Sequence, residues 1–143
     1  IVCLRSIKMK ALITGGCGFI GSNLAKRLVQ MGWCVDVVDD MSSGSLDLLT
    51  DSLPIDDGIG IRVVPSAAFL SSYEEVEAEK RKQGDILVIQ DDFASPEVLD
   101  RVTRNGYDVV FHQAAIPRVL YSVQNPALTT EVNVYKTSRL FEA

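Results

Sequence analysis

The stretch ALITGGCGFIGSNLAKRL, Ala11 to Leu28, constrains the fold more than any other part of the chain. A short apolar run ends in Gly15 and Gly16, and Gly18 and Gly21 follow as a helical pattern begins. Gly16, Gly18 and Gly21 satisfy G-x-G-x-x-G, and Gly15, Gly18 and Gly21 satisfy the variant G-x-x-G-x-x-G. Glycine is needed where a Cβ would collide with a neighbour or force φ out of range. KALIT (Lys10 to Thr14) reads as a buried parallel strand. Ile20, Leu24, Leu28 and Met31 recur at helical spacing, and Gly32 stands where that helix would stop. CVDVVD (Cys34 to Asp39) is a valine-rich second strand that closes on an acid. Together these make one βαβ unit.

The alternation continues. MSSGS (Met41 to Ser45) reads as a loop, and Leu46 to Gly84 reads as an insert with weak patterning. Within the insert, DSLPIDDGIG has turn chemistry and IRVV (Ile61 to Val64) has the make-up of a short strand. FLSSYEEVEAEKRKQG reads as a charged surface helix, with Ser72 as its cap and Glu77 and Arg81 as an i,i+4 pair. DILVIQDD (Asp85 to Asp92) is a strand ending in two acids. SPEVLDRVTRNG predicts a helix with Ser95 at the N-cap, Pro96 at N1 and Gly106 after its end. YDVVFHQAA gives another strand and its exit. Asn125 as cap and Pro126 at N1 open a helix expected to run to Ala143. The expectation is an α/β fold, a Rossmann-type doubly wound parallel sheet, incomplete at its C-terminal end. Residues 1–8 form an extension and residues 9–143 the domain. The chain opens on Ile1 and closes on a helical pattern with no stop signal, so both ends read as cut.

Composition narrows the partners. A formal charge of −5 argues against a general nucleic-acid surface. The longest apolar runs are strand-sized, which argues against a membrane span, and the first residues lack a signal-peptide pattern. Cys3, Cys17 and Cys34 have no metal-ligand spacing, so no metal site is expected. They read as reduced thiols of a cytoplasmic protein.

A diphosphate needs backbone N–H donors at close range and a favourable dipole, and a helix N-terminus supplies both. The glycine pattern follows a strand, opens a helix, and is followed after about twenty residues by an acid, which together are the fingerprint of a dinucleotide site. Asp39 can accept both hydroxyls of a ribose, and its charge would repel a 2′-phosphate, so NAD is expected rather than NADP. No arginine or lysine lies in Asp39 to Ser45 to reverse that preference. Cys17, inside the loop, reads as a space-filler rather than a nucleophile.

At TGGCGFIGSNL the sequence resembles the extended short-chain dehydrogenase/reductase family, the NAD-dependent nucleotide-sugar epimerases and dehydratases. The resemblance covers most of Met9 to Ala143 and is weakest over the insert. It implies that Gly15, Gly18, Phe19, Ile20 and Gly21 cradle the cofactor, with Asp39, Asp40, Ser42, Ser43 and Gly44 around its adenosine half. Asp40 stands where asparagine is common in the family. QDDFASPEVL is similar to the family's Gly-Asp-Ile-x-Asp-Pro segment, which implies that Asp92 faces the adenine amino group and that Phe93 lies beside the ring. Asp91 replaces the glycine and reads as a solvated strand end. VVFHQAA resembles the His-x-Ala-Ala signature, with Gln113, Ala114 and Ala115 leaving room for the nicotinamide half. His112 is then a strand-end hydrogen-bonding residue rather than a general base. Asn133 matches a residue that supports the site from the last helix, although an exposed helical asparagine is an equal reading. Lys136 and Arg139 depart from the usual glycine and asparagine. AAIPRVLYSVQNP resembles the loop that borders the nicotinamide and the sugar nucleotide. Arg118, Tyr121 and Ser122 there are either substrate contacts or rim residues.

The family's hydride chemistry uses Tyr-x-x-x-Lys, whose lysine charge lowers the tyrosine pKa. Tyr73, Tyr107, Tyr121 and Tyr135 are followed four residues on by Glu77, Phe111, Asn125 and Arg139, so no catalytic residue is assigned. The reading is the NAD-binding portion of a nucleotide-sugar epimerase or dehydratase, inactive alone, whose sugar-nucleotide substrate needs further chain. A homodimer through the 126–143 helix is the further expectation. Two other functions stay open: a non-catalytic NAD-sensing domain, and a reductase of small carbonyls with the same fold.

Overall fold

KALIT and CVDVVD are parallel neighbours, β1 (Lys10–Thr14) and β2 (Cys34–Asp39), with Lys10 to Thr14 paired to Cys34 to Val38. The computed structural model describes residues 9–51, 60–65, 85–104 and 106–143. The N-terminal extension with Cys3, most of the DSLPIDDGIG turn, and the expected charged helix with Ser72, Glu77 and Arg81 lie outside the described residues. Helix α1 (Phe19–Gln30) joins β1 to β2, and Gly32 ends it at φ +83. The Gly32 amide donates to the Val29 carbonyl at 2.8 Å and the Trp33 amide to Leu28 at 3.0 Å, which satisfies two of the helix's last carbonyls.

The remaining elements are α2 (Asp47–Thr50), β3 (Ile61–Pro65), β4 (Ile86–Gln90), α3 (Pro96–Thr103), β5 (Val109–His112) and α4 (Val119–Gln124). A last helical segment follows as α5 (Pro126–Thr130), a π-helical turn (Glu131–Lys136) and α6 (Thr137–Glu142). The sheet is parallel throughout, in the order β3-β4-β2-β1-β5. Ser95 caps α3 as expected, accepting from the Val98 amide, with Pro96 at the first turn.

Side chains alternate between the two faces of the strands, and helices cover both. Ala11, Ile13, Val35, Val37, Ile86 and Val88 pack under Ala25, Leu28 and Val29 of α1 and Leu49 of α2. Leu12, Val38, Leu87 and Ile89 pack under Val98 and Leu99 of α3 and Leu140 of α6. The second face also buries a charge. Asp36 is fully buried and accepts from Arg101 Nη2 at 2.7 Å and Tyr107 Oη at 2.8 Å.

Three expectations change. AAIPRVLYSVQNP is not wholly a loop, because Val119–Gln124 completes a short helix with exposed Val119, Leu120 and Val123. Asn125 makes no capping bond; its Nδ2 donates back to the Tyr121 carbonyl at 3.2 Å. The last helix is not uniform, since its centre widens to i→i+5 bonding over Glu131–Lys136.

Candidate functional site

The register of the strands brings their C-terminal ends level. Thr14 lies beside Val38 on one side and His112 on the other, and Asp39 lies beside Gln90. The chain leaves β1 for β2 over one face of the sheet, and leaves β4 for β5 over the other. Between β1 and β5 the connections therefore diverge, which opens a crevice at the strand ends where such sheets bind ligands.

The glycines at this edge have separate causes. Gly15 has φ +66, and a Cβ there would lie 2.7 Å from the Ala114 nitrogen, so the turn presses against the exit of β5. On Gly16 a Cβ would lie 2.5 Å from Val37 Cγ1, and on Gly21 2.3 Å from the Gly15 carbonyl oxygen. Those two let the start of α1 pack onto β2 and onto the turn. Gly18 differs: its φ and ψ are −80° and 173°, and a Cβ would meet only the Gly15 carbonyl oxygen, at 3.3 Å. It is the N-cap of α1, and among the described residues no side chain caps that helix start. Phe19 and Ile20 follow with strongly exposed side chains. An uncapped helix start with a bare backbone in front of it is a cradle for a diphosphate.

Asp39 is buried at the end of β2, and its two oxygens accept from the Cys17 and Met41 amides, each at 2.9 Å. Each oxygen keeps further acceptor capacity for a ribose hydroxyl. Asp39 is thereby part of the glycine turn itself as well as its neighbour. Met41 takes φ +60, an uncommon conformation for a side-chain residue, at the exit from β2. Asp40 is exposed and accepts from the Ser42 amide, while Ser42 and Ser43 are exposed. Gly44 closes the loop onto the turn: a Cβ there would lie 2.9 Å from Cys17, and the Ser45 amide donates to the Cys17 carbonyl. Burial, and then the Asp39 carboxylate, push the Cys17 thiol up to about 12, so it is a protonated filler.

Asp92 lies beyond β4, with Oδ1 accepting from the Ala94 amide at 2.8 Å and Oδ2 from Lys136 Nζ. Phe93 is buried, with its ring 4.9 Å from the His112 ring. Asp91 is no solvated strand end: it accepts from the Asp92 amide and from the Ser95 hydroxyl, tying the strand exit to the cap of α3.

His112 links the site to the last helix. Thr14 Oγ1 accepts from the Gln113 and Ala114 amides, so its own hydrogen goes to His112 Nδ1 at 2.6 Å. That assignment places the other proton on Nε2, which donates to Thr137 Oγ1 at 2.9 Å. Burial holds the imidazole below its ordinary pKa, in keeping with a neutral bridging role. Gln113 and Ala115 are exposed at the crevice and Ala114 is half-buried. Asn133 does not face open space. Its amide clasps Ile116, accepting from the Ile116 nitrogen at 2.8 Å and donating to its carbonyl at 3.0 Å. It holds the segment after Ala115 and acts on the site through it.

The structure thus gathers Gly15 to Gly21, Asp39 to Gly44, Asp92, and Gln113 to Ala115 along one edge, while Phe93 packs against His112 and Asn133 bonds Ile116. Sequence reasoning left Lys136, Thr14 and Thr137 out of the site. The signal for Lys136 was present, as a long cation where the resembling family has glycine. The threonines carried none.

The chain is 31% identical over 135 residues to a CDP-paratose 2-epimerase of Salmonella typhi, covering 94% of this chain and 32% of that protein. It is 32% identical over 135 residues to a UDP-glucose 4-epimerase of Mycolicibacterium smegmatis, covering 94% and 34%. Among solved structures, it superposes on the Thermus thermophilus UDP-glucose 4-epimerase complex with NAD with a TM-score of 0.63 at 27% identity, covering 94% and 33%. The Thermotoga maritima UDP-glucose 4-epimerase with UDP-glucose gives 0.65 at 27%, with the same coverage. The chain spans about a third of the length of these relatives. Residues 11–143 match the family model described as the NAD dependent epimerase/dehydratase family, and the chain belongs to that family.

Proposed function

We propose that this chain is the NAD-binding portion of a nucleotide-sugar epimerase or dehydratase. The observation that carries the reading is the uncapped start of α1 behind Gly18, set beside Asp39 at the point where the sheet's connections diverge. The Phe19 and Ile20 amides face the diphosphate, and Asp39 takes the ribose of the adenosine half, with Asp40, Ser42, Ser43 and Gly44 flanking it. Asp92 faces the amino group of the base and Phe93 lies beside its ring, and Gln113, Ala114 and Ala115 line the nicotinamide end. NAD bound there supplies a reversible hydride acceptor. This chain's own part is to bind and orient: His112 fixes the ends of β1 and β5 against the last helix, and Asn133 fixes the loop at Ile116. The names of the relatives support a nucleotide sugar as substrate.

The acid–base groups for sugar oxidation are not assigned to this chain, which holds NAD and turns over no sugar by itself. A homodimer is part of the same proposal, supported by the exposed Val134, Tyr135 and Phe141 on the last helical segment. So is a cytoplasmic location, with which the free thiols of Cys17 and Cys34 agree. Among the described residues, no helix is long and apolar enough to cross a membrane. The test is a titration with NAD, followed by a hydride-transfer assay with UDP- and dTDP-sugars. Binding without turnover is expected. Turnover by the 143-residue chain overturns the division of labour.

A further inference from the structure

We propose that Lys136 is a positioning residue for the adenine end of the dinucleotide, fixing Asp92 as the acceptor for the base's exocyclic amino group. The proposal rests on the NAD reading above and extends it to a residue outside the glycine turn.

The Asp91 amide donates to the Asp39 carbonyl, so the chain beyond β4 continues alongside the end of β2. β4 lies on the side of β2 away from β1 and its glycine turn, and Asp92 follows two residues after the end of β4. With the diphosphate at α1 and the ribose at Asp39, the base extends over the end of β4, where Asp92 is partly exposed.

Asp39, Asp40, Asp91 and Asp92 crowd the ends of β2 and β4. A further carboxylate left unbalanced there would turn to solvent, or would oppose a dianionic ligand. Lys136 Nζ donates to Asp92, and the ammonium is also near the charges of Asp40 and Glu131. The hydrogen bond to Asp92 outweighs the opposing effect of burial and holds Lys136 above its ordinary pKa, so it is cationic throughout the neutral range.

Both Asp92 oxygens are fixed, one by the Ala94 amide and one by Lys136, and each keeps acceptor capacity. An ionised carboxylate accepts and does not donate. Held in this way it welcomes an amino group and rejects a carbonyl oxygen at the same place on the base. Lys136 is itself held by its element. It ends the π-helical turn, Asn133 of the same turn clasps Ile116, and Thr137 directly after it accepts from His112.

The experiment is calorimetric titration of the 143-residue chain with NAD and with nicotinamide hypoxanthine dinucleotide, whose base carries an oxo group in place of the amine. The wild-type chain, Lys136→Met, Lys136→Arg and Asp92→Asn are compared, with circular dichroism to establish folding. The wild type is expected to prefer NAD. Lys136→Met is expected to lower that preference by about tenfold, the worth of one charge-assisted hydrogen bond, while Lys136→Arg retains it. Asp92→Asn, which preserves shape, is expected to lose the preference too, and it decides the matter if Lys136→Met does not fold. Equal binding of the two dinucleotides by the wild type overturns the proposal, as does full preference in a folded Lys136→Met. A wild-type chain that binds neither dinucleotide overturns the NAD-binding reading as well, so the two failures are told apart.

Discussion

Replacing Gly15 and Gly18 separately by alanine divides what the glycine turn does for the fold from what it does for a ligand. Gly15 has φ +66, and an added Cβ would lie 2.7 Å from the Ala114 nitrogen, 2.8 Å from its Cα and 2.9 Å from the Gln113 carbonyl carbon. The left-handed conformation costs an alanine about 1–2 kcal/mol. Three backbone atoms cannot rotate aside as a side chain does, so relieving the overlap costs about 1–3 kcal/mol more. The sum is about 2–5 kcal/mol. With a urea slope of about 2 kcal/mol/M, the unfolding midpoint of Gly15→Ala falls by roughly 1–2.5 M. Gly18 sits at φ −80° and ψ 173°, which alanine adopts freely, and its Cβ would meet one carbonyl oxygen at 3.3 Å. Exchanging glycine for alanine at an N-cap costs about 1 kcal/mol. Gly18→Ala is therefore expected to fold with a midpoint lower by only about 0.5 M and to lose NAD affinity, because its methyl group occupies the approach to the bare helix start. Urea denaturation followed by circular dichroism gives the stabilities, and calorimetry gives the affinities. The reasoning is refuted if Gly18→Ala is as unstable as Gly15→Ala, or if folded Gly18→Ala binds NAD as tightly as the wild type.

Two further outcomes concern the scaffold. Asp36→Ala removes the buried carboxylate that faces Arg101 and Tyr107, and is expected to cost about 3–5 kcal/mol in denaturant unfolding; a loss below about 1 kcal/mol contradicts the assigned role. His112 is held below its ordinary pKa by burial, so the unfolded chain takes up the proton first as pH falls. Its contribution to stability is present above the unfolded value of about 6.5 and is lost as pH falls from there through the lower folded pKa. His112→Gln is expected to flatten that part of a stability-against-pH curve, and an unchanged slope counts against the buried neutral imidazole.

The strands and caps were legible because their signals are local. KALIT and CVDVVD became strands with the bounds read from sequence, Gly32 ended α1, and Ser95 capped α3. Parallel strands buried on both faces announce themselves as continuous apolar runs. The pairing of the glycine turn with Asp39 was legible as a strand-turn-helix fingerprint closed by an acid, whereas Asp92 and the alanines were implied only by the family resemblance. What escaped depends on contacts made across the fold. Asp91 looks like a solvated acid until Ser95, four residues on, is turned back to it. Asp39 looks free for a ligand until the glycine turn brings the Cys17 amide to it. The π-helical turn leaves no mark in the helical periodicity. Its partners lie far off in the sequence: Asn133 meets Ile116 beyond β5, the following Thr137 meets His112 at the end of β5, and Lys136 meets Asp92 beyond β4. Val119–Gln124 escaped because its apolar residues stay exposed, so burial sets no period there.

The central claim is that the edge formed by Gly18, the start of α1 and Asp39 takes a dinucleotide with an unphosphorylated adenosine ribose. Calorimetric titration of the chain with NAD and with NADP, under the same conditions, tests it most directly. Asp39 is a buried carboxylate at the ribose position, and a 2′-phosphate brought beside it meets a like charge at short range. The expected result is saturable binding of NAD with NADP weaker by about tenfold or more. Equal or tighter binding of NADP, or binding of neither, contradicts the account.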